Sequence, residues 1–208
     1  MNFERLSFED LTAAIASDAP TPGGGTAAAL AGAMGAALAE MVAALTLSKD
    51  KYAAAHDAVR PIGDVARRTH AELVRLARED SESYDAVVAA RRLPKATDEE
   101  RDARSREMAR ANRLAAEIPL RTARAAALLL GSIPVLAEKG NPNAASDAGT
   151  AALLLEAAVQ GALLNVAINL GGAGDPDFAE ELRSESSRLG REAAAARDDV
   201  LALVRARF

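Results

Sequence analysis

TPGGGTAAALAGAMGAALAEMVAALTLSK, from Thr21 to Lys49, is the stretch that decides the fold. Pro22 and the glycines Gly23, Gly24 and Gly25 form a helix-breaking loop, because glycine reaches backbone conformations that other residues resist. Almost pure Ala, Gly, Leu and Met follow, with Glu40 as the sole charge before Lys49. A helix is expected from about Thr26, and its first N–H groups lack partners within the helix. A glycine loop feeding such an end can cradle an anion, and a bulky residue at Gly24 is expected to block it. Leu30, Met34, Leu38, Met41 and Leu45 make a bulky apolar ridge, while Ala28, Gly32, Gly35, Ala36, Ala39 and Ala43 make a side where another helix can come close. The length would also suit a membrane span. Glu40 within the run, the weak hydrophobicity of alanine and the charge elsewhere favour a core helix instead.

The composition points the same way. Of 208 residues, 50% are hydrophobic but only 3% aromatic, so alanine and leucine must do the packing. That favours closely packed helices over sheets, in one domain spanning residues 1–208. The net charge of −5 comes from intermixed acids and bases, with no polybasic face for nucleic acid. The absence of cysteine excludes disulfides, thiol catalysis and thiolate metal sites. MNFERLSFEDL carries acids early and lacks an apolar signal segment, so a cytoplasmic protein without a membrane partner is expected.

Helical spacing continues along the chain, and no segment alternates as a strand does. Ser7 with Asp10, and Thr97 with Glu100, read as capping patterns. Pro61 predicts a kink or a helix restart, Pro119 a kink and Pro134 a break, while Gly140-Asn141-Pro142-Asn143 predicts a turn. Asp80, Ser81, Ser83, Tyr84 and Asp85 form a polar interval in a helix from about Tyr52 to Arg92. Lys49 and Lys51 suit a helix C-terminus, or an anionic ligand tail.

A second apolar helix is expected from Ala144 to Leu170. On its wheel Asp147, Asn165 and Asn169 share one quadrant. Amides placed so either bond neighbouring helices or read a polar ligand. Asp147 either satisfies free N–H groups of the first turn or does chemistry. His56 and His70 lie fourteen residues apart without metal-ligand spacing, so no metal site is expected. No nucleophile elbow, phosphate loop or dinucleotide fingerprint is present.

PTPGGGTAAALAGAMGAALAEMVAALT, SKDKY, RLPK, EIPL and GNPNAASDAGTAALLLEAAVQGALLNVAINL together resemble the cyclodeaminase/cyclohydrolase family. That family comprises the C-terminal domain of formiminotransferase-cyclodeaminase and standalone bacterial relatives. The likeness covers essentially the whole chain; Pro61 and a basic cluster without a lysine pair depart from it. It implies an all-α multihelical bundle, a helix-mediated homodimer, and a tetrahydrofolate substrate with no other cofactor. Two reactions are in scope: hydrolysis of 5,10-methenyltetrahydrofolate to 10-formyltetrahydrofolate, and ammonia-releasing closure of 5-formiminotetrahydrofolate to the methenyl form. A non-catalytic folate-binding dimer and an enzyme on an unrelated substrate are the other classes. Carried onto this sequence, the resemblance makes Asp147 the first candidate carboxylate, with Glu40 and Asp80 behind it. Gly23, Gly24, Gly25, Thr26, Lys49, Lys51, Tyr52, Asn143, Ser146, Asn165 and Asn169 are the candidate substrate-binding residues.

Overall fold

The glycine loop releases the chain into α2 (Gly24–Leu47), the helix against which the bundle is assembled. The computed structural model describes residues 6–172 and 174–208. The start of the chain, on which the expectation about a signal segment partly rests, lies outside them. The other helices are α1 (Phe8–Ile15), α3 (His56–Arg91), α4 (Asp98–Leu130), α5 (Ile133–Lys139), α6 (Ala145–Leu170) and α7 (Pro176–Arg205). No strand occurs among the described residues.

Local chemistry explains the boundaries. Ser7 accepts from the Asp10 N–H at the head of α1, and Thr97 and Glu100 form a complete capping box on α4. Asp175 caps α7 by accepting from the Phe178 N–H. The expected helix from Tyr52 instead begins as a 3₁₀ segment, Asp50–Ala55, before α3 takes over. Neither Pro61 nor Pro119 ends its helix. Pro61 lies in the second turn of α3, and the carbonyl left without its N–H belongs to solvent-exposed Asp57. Pro134 starts α5, as a proline can.

The small side of α2 is the side that packs. Cβ atoms built on Gly32 and Gly35 would lie 3.0 Å from Ala158 Cβ and from the Ala151 carbonyl oxygen, both on α6. One built on Gly63 would lie 3.0 Å from Ala43. These contacts run α2 antiparallel to both α3 and α6, with part of the bulky ridge facing outward while its Leu30 and Leu38 are half-buried against core residues. Met34, Met41 and Leu45 are exposed, and so are Leu153, Leu164 and Ile168 of α6. α4 and α7 complete the core around Leu120, Leu129, Leu155, Val166, Leu189 and Val200. By length and composition α2, α6 and the α4–α5 stretch could cross a membrane, yet here each contributes to this common core.

Gly35 faces a carbonyl that cannot move aside. Gly35→Leu is expected to cost about 1–3 kcal/mol of stability, read as a lowered urea midpoint with an unchanged slope.

Candidate active site

Antiparallel packing carries the middle of α3 to the start of α2. Gly23, at the head of α2, offers no side-chain cap. The vacancy is filled by Asp80 of α3: Thr26 Oγ1 donates to Asp80 Oδ2 at 2.9 Å, and the Thr26 backbone N–H also favours the carboxylate. A carboxylate here meets free N–H groups and the positive end of the helix dipole. A Cβ built on Gly25 would fall well inside contact distance of that carboxylate. Gly25 is therefore the position that must be glycine. At Gly24 a Cβ would meet Asn165 Nδ2 at an ordinary 3.5 Å, so a methyl fits there, and a bulkier group would take up space in the cavity that both residues line.

The loop, α3, α4 and α6 together enclose a cavity of about 350 Å³. Gly23, Gly24 and Gly25 form one wall, and Asp80, Ser83, Tyr84 and Arg91 come from α3. Asn112 comes from α4, and Asn165, Ile168 and Asn169 from α6. The two α6 amides make different bonds. Asn165 Nδ2 donates to Gly161 O within its own helix, whereas Asn169 Nδ2 donates across to Ala115 O of α4, each at 2.8 Å. Each amide oxygen and second N–H remains for a ligand. Burial pushes the Asp80 carboxyl up from the usual carboxylate range, and the bonds from Thr26 pull it part of the way back. Among the described residues, no three His, Asp or Glu side chains gather as a metal cluster would require.

The structure thus joins Gly23, Gly24, Gly25, Thr26, Asp80, Asn165 and Asn169. It leaves the other candidates elsewhere. Glu40 pairs with Arg67 at 2.8 Å, about two-thirds of the way down α2. Asp147 stands in the first turn of α6, eighteen residues before Asn165, so about 27 Å separates them along the axis. A shared quadrant on the wheel carries no information about that distance. Asn143, Ser146, Lys49, Lys51 and Tyr52 also lie at this far end. There Tyr52 donates to Asn141 Oδ1 at 3.0 Å, the Asn143 N–H donates to the same oxygen, and Lys51 lies over the Tyr52 ring. Sequence reasoning missed Arg91 and Asn112. An asparagine inside a helix is a weak signal, since its short amide competes with the backbone and favours caps.

The family model described as formiminotransferase-cyclodeaminase matches residues 7–188. A methenyltetrahydrofolate cyclohydrolase of Methylorubrum extorquens is 39% identical over 201 residues, which are 97% of each chain. The formimidoyltransferase-cyclodeaminase of Rattus norvegicus is 37% identical over 83% of this chain, which spans only 32% of that longer protein. The crystal structure of formiminotetrahydrofolate cyclodeaminase from Thermotoga maritima superposes with a TM-score of 0.87 at 31% identity, covering 98% of each chain.

A carboxyl raised by burial opposes folding once it ionises, and costs nothing where folded and unfolded states are both protonated. Asp80→Asn is therefore expected to raise Tm at neutral pH. That gain should vanish as pH falls below 3.8, the ordinary carboxyl value. Equal Tm values for variant and parent at pH 7 would contradict the burial account.

Proposed function

Because the chain belongs to the formiminotransferase-cyclodeaminase family, we propose that it hydrolyses 5,10-methenyltetrahydrofolate to 10-formyltetrahydrofolate, with Asp80 moving the proton. One observation carries this reading: a part-buried carboxylate faces a cavity whose other polar groups include three neutral amides. The methenyl carbon sits in a cationic amidinium, so water can add to it directly. Asp80 stabilises that cation and takes a proton as the water oxygen bonds to carbon. It returns the proton to N5 as the carbon–N5 bond breaks. The hydroxyl of the adduct loses its own proton to solvent and becomes the formyl oxygen. Asn165 and Asn169 hydrogen-bond the pterin, and the glycine loop receives a polar part of the substrate. No cofactor beyond the folate is needed, and a cytoplasmic location suits the substrate.

The second reading is the cyclodeaminase, favoured by the Thermotoga maritima structure. There N10 attacks the carbon of the protonated formimino group, Asp80 takes the N10 proton and passes it to the –NH2 of the adduct, and ammonia leaves as the cationic methenyl bridge forms. The cyclohydrolase stands first because its relative matches end to end at higher identity.

The protein acts as a homodimer in this reading. Supporting it, α2 and α6 present adjoining apolar ridges; Met34 is 49% exposed, Leu164 73% and Ile168 79%. Two helices of about 36 and 39 Å, some 9 Å apart, make a strip of roughly 700 Å² per copy, within the range of stable interfaces. With the α2 helices of two copies antiparallel, Lys49, Lys51 and Asp147 of the partner subunit stand beside the cavity. That arrangement would supply cations for the folate carboxylates, which the far end of a single chain cannot reach.

The test measures decay of 5,10-methenyltetrahydrofolate absorbance beside ammonia release from 5-formiminotetrahydrofolate. Hydrolysis is expected to exceed ammonia release, and Asp80→Asn should lower turnover by roughly 10² or more with the fold intact. An unimpaired Asp80→Asn would remove Asp80 from the chemistry. For the shared site, dimers carrying both Lys49→Ala and Lys51→Ala should show a raised KM, and subunit exchange with Asp80→Asn dimers should return one intact site to half the dimers and so about a quarter of the parent activity at low substrate. No recovery after subunit exchange, or a monomer by sedimentation, would refute the shared site.

A further inference from the structure

Thr26 is the third residue of α2 and is completely buried. Its hydroxyl has two polar neighbours: Asp80 Oδ2 at 2.9 Å and Ser81 Oγ at 3.1 Å. A threonine hydroxyl carries one proton, and an ionised carboxylate only accepts. Thr26 must therefore donate to Asp80, which leaves Ser81 to donate to Thr26. The chain of bonds runs in one direction, from Ser81 Oγ through Thr26 Oγ1 to Asp80 Oδ2. The Asp80 carboxylate also lies against the Cα of Gly25, with Oδ1 the nearest atom to the space a Cβ would fill.

We infer that Thr26, backed by Ser81, is a positioning residue for the proton transfer rather than a substrate contact. Its hydroxyl bond to Oδ2, beside the bond from its own backbone N–H, holds the carboxylate in one orientation, with Oδ1, on the glycine-loop side, as the oxygen that takes up and returns the proton. The two hydroxyls act only through Asp80. Both are buried, and neither side chain lines the cavity. This inference rests on Asp80 being the acid–base group proposed above. The geometry has a purpose that burial alone would not serve. A carboxylate free to rotate about its own bond would present either oxygen, whereas one fixed by a buried donor presents the same oxygen in every turnover.

The groups around Asp80 are few. Tyr84 and Arg91, on its own helix, are the other titratable side chains lining the cavity. α2 brings glycines there, α4 brings Asn112 and Ala115, and α6 brings Asn165, Ile168 and Asn169. Removing the Thr26 hydroxyl removes a bond that favours the charged carboxylate, so the carboxyl must move further up.

The experiment uses Thr26→Val, which keeps the shape and loses the hydroxyl, Thr26→Ser, which keeps the hydroxyl, and Ser81→Ala. Thr26→Val should lower kcat roughly tenfold, with KM nearly unchanged. The acidic limb of its pH–kcat profile should move to higher pH. Thr26→Ser should restore both, and Ser81→Ala should shift both in the same direction by less. In parallel, the Asp80 carboxyl is titrated by carbon-13 NMR in parent and variants, its signal identified by its loss in Asp80→Asn. That titration should move up in Thr26→Val and return in Thr26→Ser, whatever the protein's substrate. If Thr26→Val does not fold, Thr26→Ser and Ser81→Ala decide: a parent-like titration in the first with an upward shift in the second supports the inference. An unmoved titration in Thr26→Val, a change confined to KM, or a Thr26→Ser as impaired as Thr26→Val would overturn it. If the parent turns over neither folate, the function above fails on its own, and the titration still decides whether Thr26 sets the state of Asp80.

Discussion

A carboxylate from one helix caps the start of another, and that contact sets the ends of α2 and α3 against each other. Asp80 can reach the N-terminus of α2 only if α3 lies close and antiparallel, and only if Gly25 has no side chain. Further along the same pair, Gly63 faces Ala43. On the opposite flank Gly32, Gly35 and Gly161 bring α2 equally close to α6. Small residues give little transfer free energy each. Their return lies in the density of contact between backbones, and in the precision with which two helix ends are set against each other.

Close packing on the small side has a cost on the other. A helix that buries its glycines and alanines turns some of its bulky side chains outward, as Met34, Met41 and Leu45 are turned here. A bulky apolar ridge in water needs a partner, and the matching ridge of α6 doubles its width. In the proposed dimer, the choice that builds the cavity also builds the association surface, because both follow from which side of α2 faces inward.

Much of this could be read in the residues, and the limits were physical ones. The helical spacing, the capping patterns and the glycine loop are local signals, and each stands in the structure where the sequence put it. Asn165 and Asn169 were recognisable as a stripe, since four residues make one turn. Asp147 and Asp80 show what local signals lack. A helical wheel projects along the axis, so it brought Asp147 onto the face of Asn165 while hiding about 27 Å of rise. Asp80 gains its place from the antiparallel pairing of α3 with α2, a long-range fact that no window of sequence contains. Pro61 lies inside α3 without ending it: a proline breaks a helix only where the lost hydrogen bond matters, and Asp57, whose carbonyl loses that bond, is exposed.

The raised carboxyl of Asp80 also bears on how substrate and proton affect each other. Burial disfavours the ionised form in the empty cavity. A methenylfolate brings its own positive charge, and in the proposed pose that charge stands beside the carboxylate. The bound cation would then favour ionisation, opposing the desolvation that burial imposes. Linkage makes the effect reciprocal: whatever lowers the Asp80 carboxyl on binding must tighten binding as Asp80 ionises. The formyl product carries no such charge, so its departure lets the carboxyl rise again. A carboxylate whose ionisation is opposed by burial and favoured by the bonds from Thr26 is thereby suited to grip the cationic substrate more tightly than the neutral one it becomes.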